Sequence, residues 1–371
     1  QGDRISQVGS ADVVPIPEGT KVIDLSGKTV LPGLIDMHDH ITGDHRFHGY
    51  EGLSISVPRE TLYGVLNSRK TLLAGFTTIR NVGASGYSDV ALRDAINEGE
   101  IAGPRMRVSG PALGITGGDC DNNLLPREYD VTAEGVANGP WAVRAKVREV
   151  IKYGADLIKF CATGGVLSKG DSVGGQQYTL EEMTALVDEA HMHGRKVAVH
   201  ASADVAMQRA ANARADTIEH GSAGTSATFE LMRERGTIYV PTLTQVEYYA
   251  RYFEGYRPGE TAATPNMARS ERAFRAARDA GVTIANGSDA GVYPHGENYR
   301  ELQWMVKLGM RPAEALLAAT RTGARVLGEE DIGRLAPGLI ADIIAVRGDP
   351  VEDIDAVSQV TFVMKGGKRI R

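Results

Sequence analysis

Nowhere in its 371 residues does the chain hold the roughly eighteen consecutive apolar side chains that a membrane-spanning helix needs, so a soluble protein is expected. Positive charge is in deficit. Lysine and arginine number 41 against 47 aspartates and glutamates, a formal net charge of −6, and no basic patch offers the footprint that a nucleic acid requires. Cysteine is nearly missing. Cys120 and Cys161 sit in apolar or glycine-rich surroundings without metal-type spacing, which speaks against a disulfide framework and against a zinc knuckle. Gly287-Ser288-Asp289 does not continue into a nucleophile elbow. No Gly-Lys-Ser or Gly-Lys-Thr accompanies the glycine pairs 164–165 and 174–175, so that stretch reads as a loop and not as a phosphate cradle.

What is present is an ordinary globular composition, 42% hydrophobic and 24% charged, at a length that suits one large α/β domain and one small one. Both chain ends have strand-and-turn composition: Arg4–Val8 and Lys21–Leu25 at one end, Ala341–Val346 and Val360–Lys368 at the other. They are expected to pair into one small β-sandwich domain from residues 1–31 and 335–371. The chain opens at Gln1 in what reads as the middle of a hairpin, so a signal peptide, tag or disordered segment is expected ahead of it. Cytoplasmic and exported locations both stay open.

Between the ends, from 32 to 334, short apolar runs alternate with amphipathic segments. The runs are 34–38, 77–81, 106–110, 157–161, 197–200, 217–220, 237–242 and 283–286. Glycines 99, 154, 194, 236 and 281 stand at or near the expected helix ends. Eight such units predict an α/β fold, a (β/α)8 TIM barrel.

The first run ends in His38-Asp39-His40. On an extended backbone the two imidazoles leave the same side and can share a cation. Alone, such a pair at a strand end carries little weight. Four later runs also end in or near a cation-binding residue, Lys159, His200, His220 and Asp289, and a barrel gathers its C-terminal strand ends at one mouth. Neutral imidazole and carboxylate suit Zn²⁺ and related divalent ions. Lys159 does not fit that set as an ammonium. Burial drives a lysine toward the neutral amine, which can react with CO₂ to give a carbamate able to bridge two metals. The plainer alternative is a salt-bridged lysine at the mouth.

These residues carry a resemblance. Pro-Gly-Leu-Ile-Asp-Met-His-Asp-His at 32–40, Ile158-Lys159-Phe160 before Thr163-Gly164-Gly165, Val199-His200-Ala201, Ile218-Glu219-His220-Gly221 and Asn286-Gly287-Ser288-Asp289 resemble the successive ligand motifs of the amidohydrolase superfamily. Cys161–Val166 and Gly117–Asn122 resemble its prolidase-like branch of Xaa-Pro dipeptidases, carboxypeptidase-like enzymes and ochratoxin amidases. The resemblance implies two divalent ions, Zn²⁺ above all. His38, His40 and Asp289 would serve one, His200 and His220 the other, with carboxylated Lys159 between them. It also implies Asp289 as the proton-transfer residue and a homo-oligomer, octameric by the family pattern.

The implied activity is release of an amino acid from an amide such as an Xaa-Pro dipeptide, an N-acyl amino acid or an ochratoxin-like amide. The substrate is a small molecule or dipeptide with a free carboxylate. One departure stands out: Asp119 occupies the place where relatives usually carry histidine, so the donor near the scissile carbonyl must come from elsewhere, with His295 the candidate. A rival within enzymes is a cyclic amide or imidazolone hydrolase, which Lys159 disfavours. A rival of another class is a silent scaffold, which would be expected to lack ligands. The aromatic cluster Tyr248, Tyr249, Tyr252, Phe253 and Tyr256 suits a substrate pocket or a subunit contact.

Overall fold

A computed structural model describes residues 2–10 and 12–371; Gln1, and with it the question of what precedes it, lies outside the described residues. Strand β1 (Lys28–Pro32) leads through Gly33 into β2 (Leu34–Asp39), followed by β3 (Phe76–Asn81) and β4 (Arg105–Val108). Then come β5 (Leu157–Cys161), β6 (Lys196–Ala201), β7 (Thr217–His220) and β8 (Ile238–Val240). The last three are β9 (Ile343–Arg347), β10 (Val360–Lys365) and β11 (Lys368–Arg369). Strands β2-β3-β4 make one parallel sheet and β5-β6-β7-β8 another. Helices separate nearly all of them, giving a mixed α/β fold.

Backbone bonds join the edges of the two sheets. Asp156 N–H donates to Val108 O at 2.7 Å, and Leu113 bridges to Phe160. At the opposite edges, residues 283–286 run between β8 and β2: Tyr239 N–H donates to Thr283 O, Ala285 N–H to Tyr239 O, and Met37 N–H to Asn286 O, each at 2.9 Å. The expected eighth strand is thus reduced to a single bridge, Tyr239 to Ile284. The Asn286 side chain takes over a ladder position by donating to Ile35 O at 3.1 Å. Gly287 then lets the chain close on its neighbour, since a Cβ there would lie 2.3 Å from Val240 Cγ1. The expected strand at 237–242 stops at Val240 because Pro241 has no N–H to donate and Thr242 turns to φ 50°.

Period-two alternation sorts the side chains. Ile158, Phe160, Val197, Val199 and Ile218 pack outward against helix residues such as Val147 and Leu186. Leu157 and Ala198 instead meet Val82 in a separate small cluster. Lys159 and Cys161 share the parity of Leu157, and His200 that of Ala198, so the chemistry-bearing residues stand on the face away from the helices. The helix Leu180–Met192 starts in a capping box, with Thr179 Oγ1 accepting from Glu182 N–H while Glu182 Oε2 accepts from Thr179 N–H. The helix Pro265–Ala280 has proline in its first turn and closes on Gly281 at φ 70°.

The two chain ends meet in a four-stranded antiparallel sheet, β1-β9-β10-β11. Neither Arg4–Val8 nor Lys21–Leu25 forms the expected strand. Arg4 makes one antiparallel bridge to Ile340, and residues 21–25 carry no regular structure, so a single sheet stands where a second layer was expected. Prolines 15 and 17 flank Ile16 there, removing two of the donors that a ladder needs. Among the described residues no helix is long and apolar enough to cross a membrane.

Candidate active site

A cavity of about 680 Å³ opens at the C-terminal strand ends and is lined by His38, His40, Lys159, His200, His220 and Asp289 together. The six candidates scattered over 250 positions of sequence meet there. Ring centroids of His38 and His220 are 5.0 Å apart, those of His200 and His220 4.5 Å, and those of His38 and His40 5.4 Å. Asp289 Oδ1 lies 3.5 Å from His38 Nε2 and 3.4 Å from His40 Nε2. One donor atom from each of these three residues falls within 4.8 Å of the others, a spacing that suits a cation. Asp289 and His220 both adopt positive φ, 62° and 68°, which β-carbon-bearing residues hold only where the surroundings impose it.

Hydrogen bonds fix which nitrogen of each imidazole is free. His38 Nδ1 is 2.8 Å from Glu219 Oε2, and an ionised carboxylate only accepts, so the proton sits on Nδ1 and the Nε2 lone pair faces Asp289. His40 Nδ1 donates to Gly83 O at 3.3 Å, which also leaves Nε2 free. His200 is reversed. Its Nε2 donates to Gly164 O at 3.2 Å, leaving Nδ1 available. Thr242 spends its hydroxyl proton on Pro241 O at 2.8 Å and so accepts from His220 Nδ1 at 2.7 Å, freeing Nε2. Burial, with the charge of Lys159 behind it, holds His38 well below the ordinary histidine range and His40 at about 4. His220 and His200 are lowered for the same leading reason. All four are neutral donors at physiological pH.

Lys159 is only 4% exposed, and desolvation lowers its pKa against the opposing pull of Glu219 and Asp289. Asp289 is pushed up to about 7, by burial first; Lys159 works against the shift, while Asp36 and Asp39 add to it. Asp119 lines the cavity with Oδ2 3.7 Å from His200 Nε2, and it packs so closely on Gly165 that a Cβ there would lie 2.2 Å from Asp119 Oδ1. His295 does not line the cavity. It is buried, with Nε2 3.2 Å from Asp39 Oδ1.

Several residues that hold the candidate site in place escaped the sequence reading. Arg80 Nη2 donates to Glu219 Oε1 at 2.7 Å and Arg80 Nε to Met37 O at 2.6 Å, so a buried arginine fixes the carboxylate that orients His38. Asp36 accepts from His38 N–H at 3.1 Å, Ser288 N–H at 2.9 Å and Asn298 Nδ2 at 2.8 Å, tying the His38 and Asp289 loops together. Glu219 stood in the Ile218-Glu219-His220 motif; its inward parity was the available signal. Glu219→Gln is expected to weaken metal binding by about 10- to 100-fold, the usual loss when a carboxylate behind a ligand histidine is removed. Competition with a chelator checks it, and unchanged affinity would remove Glu219 from the site.

The cysteines correct the sequence reading: Cys120 and Cys161 form a disulfide, with Cα atoms 6.1 Å apart. Sequence spacing hid the pairing because parallel hydrogen bonding of Leu113 to Lys159 O and Cys161 N–H lays the 114–136 loop over β5. The bond closes a 41-residue separation, worth about 4 kcal/mol in the chain-entropy model. A clear fall in Tm is therefore expected when a thiol reductant is present during calorimetry. An unchanged Tm would show that the link adds nothing. Gly170-Asp171-Ser172-Val173-Gly174 matches the letters of a nucleophile elbow but lies in the loop after β5, without the strand and helix that elbow requires.

The aromatic cluster divides. Tyr248 is buried, stacked on Tyr293 at 4.8 Å, and donates to Glu297 Oε2 at 2.6 Å; Tyr249 lines the cavity. Tyr252 and Phe253 are exposed beside His48.

The model of the amidohydrolase family matches residues 29–370. The chain belongs to the amidohydrolase family. Ochratoxinase of Aspergillus niger is 34% identical over 364 residues, covering 91% of this chain and 75% of that protein. A Xaa-Pro dipeptidase structure with methionine bound in its active site is 37% identical, with a TM-score of 0.91, covering all of this chain and 93% of that one. A prolidase complexed with N-methylphosphonate-L-proline is 30% identical at a TM-score of 0.86, again over the whole chain and 93% of the other. This amidohydrolase is accordingly a hydrolase acting on C–N bonds of amides or peptides, in the prolidase-like branch.

Proposed function

We propose that this amidohydrolase is a binuclear metal enzyme that hydrolyses an amide and releases an amino acid bearing a free carboxylate. The observation that carries it is the set of free lone pairs: His38 Nε2, His40 Nε2 and Asp289 on one side, His200 Nδ1 and His220 Nε2 on the other, with Lys159 on the same cavity wall. Neutral imidazoles, one carboxylate and a lysine whose pKa burial lowers would hold two divalent ions, Zn²⁺ foremost, and Lys159 once carboxylated would supply the oxygens shared between them. The edge bonds between the two parallel sheets and the 283–286 segment support a closed (β/α)8 barrel over 32–334, with the terminal segments as a separate small domain.

When bound, the ions would supply an activated water and polarise the scissile carbonyl. The chain does the rest. Asp289 accepts the proton of the attacking water and passes it to the leaving nitrogen, which requires a carboxylate within hydrogen-bond reach of both. Glu219 and Arg80 keep His38 in the productive tautomer. The names of the relatives, a Xaa-Pro dipeptidase, a prolidase and an ochratoxinase, support a leaving amino acid next to the cleaved amide. A panel of Xaa-Pro dipeptides, N-acyl aromatic amino acids and cyclic amides, assayed before and after chelation, tests the proposal. Chelator-sensitive turnover of open-chain amides is expected, and turnover confined to cyclic amides would overturn the substrate class.

A further inference from the structure

The cavity is poor in positive charge. Among the described residues that line it, Lys159 and Arg269 alone carry a formal cation, against carboxylates at Asp44, Glu60, Asp119, Glu134 and Asp289. Lys159 belongs to the centre already described. Arg269 lies on the helix Pro265–Ala280, which supplies none of the metal donors. Its Nη2 donates to Asn266 Oδ1 at 2.7 Å, and Asn266 Nδ2 in turn donates to Glu254 Oε1 at 2.5 Å. The guanidinium is therefore braced by a neutral amide on the same wall, which steadies it without consuming its charge. Its Nε is buried and has no hydrogen-bond partner among the described residues.

We infer that Arg269 recognises the free carboxylate of the substrate, the guanidinium hydrogens left over from the Asn266 contact gripping the two carboxylate oxygens side by side. The inference rests on the proposed function, which requires a carboxylate beside the cleaved amide. Bidentate geometry is the property that arginine has and lysine lacks, so the planar fork selects for a carboxylate and against its amide or ester. The wall is shared with Asn266, Ser270, Gln245 and Tyr249, polar or aromatic groups that suit the flank of an amino acid. Arg269 thus sets specificity, while water activation and proton transfer stay with the centre opposite.

Wild type, Arg269→Ala and Arg269→Lys are compared on one N-acyl amino acid and its C-terminal amide. Calorimetric binding of the free product amino acid and of its amide is measured in parallel, after thermal melting confirms that the variants fold. The wild type is expected to prefer the acid. Arg269→Ala should raise KM for the acid by about 10- to 100-fold, the range of a lost charge-assisted contact, with a smaller fall in kcat, and should collapse the preference for acid over amide. Affinity for the product amino acid should fall in parallel, and Arg269→Lys should restore only part of both. If the wild type prefers the acid and Arg269→Ala keeps that preference, the carboxylate is held elsewhere and the inference falls while the proposed function stands. If the wild type shows no preference, both fall.

Discussion

Lys159→Ala is expected to fold, to lose divalent metal, and to lose activity by about 10³-fold or more, the several kcal/mol that a metal centre supplies to the transition state. Alanine removes the only group on β5 able to present two oxygens to a pair of cations, and the four histidines and Asp289 then face two positive charges with one carboxylate between them. A short carboxylic acid, small enough for the vacated space, should restore part of both metal content and turnover by standing in for the carbamate. The substitution leaves the packing of β5 intact, because Lys159 faces the cavity while Ile158 and Phe160 pack into the core. Elemental analysis and steady-state assays decide the matter. A variant holding two metals at wild-type turnover would remove the bridging role.

Asp289→Asn is expected to lose about 10² to 10⁴ in kcat while retaining much of its metal. Asparagine keeps the shape of the side chain and an oxygen for a cation, and backbone bonds from Asp289 N–H to His38 O at 2.7 Å hold the position. It cannot take a proton from water at neutral pH. The loss should therefore fall on kcat more than on KM, as expected for an interaction made in the transition state. The pH profile carries a matching sign. The active form is the carboxylate, so activity disappears as pH falls through the pKa of Asp289. Burial places that pKa at about 7 in the protein alone, and bound cations pull it lower, which puts the acid limb below pH 7. A kcat within about threefold of wild type, with metals bound, would assign the proton transfer elsewhere.

The strand ends were legible because period-two alternation and the short apolar runs are local. His38 and His40 announce themselves within three residues, His200 and His220 each stand at the end of a short apolar run, and Lys159 stands within one. Asp289 was legible as a residue of the cavity wall, although the strand before it shrank to one bridge: a position at the mouth survives where its hydrogen-bond ladder does not. What sequence could not show was assembled across distance. Arg80 reaches Glu219 over 139 positions, and Asn298 reaches Asp36 over 262. Cys120 meets Cys161 only because the 114–136 loop that carries Cys120 folds back over β5. The Arg269 side chain drew no attention either, since an arginine on an amphipathic helix usually faces solvent. At the N-terminus the error ran the other way. Strand-like composition at 4–8 shrank to one bridge, Arg4 to Ile340, and 21–25 joined no ladder although β1 stands at the edge of its sheet.

The most direct test is reconstitution of the chelator-stripped protein with Zn²⁺, following metal content and turnover together in CO₂-free buffer and in buffer with bicarbonate. Activity that returns in proportion to a second bound ion, and only when bicarbonate is present, is the predicted result. Full activity at one ion per chain, or undiminished reconstitution without CO₂, would contradict a centre bridged by carboxylated Lys159.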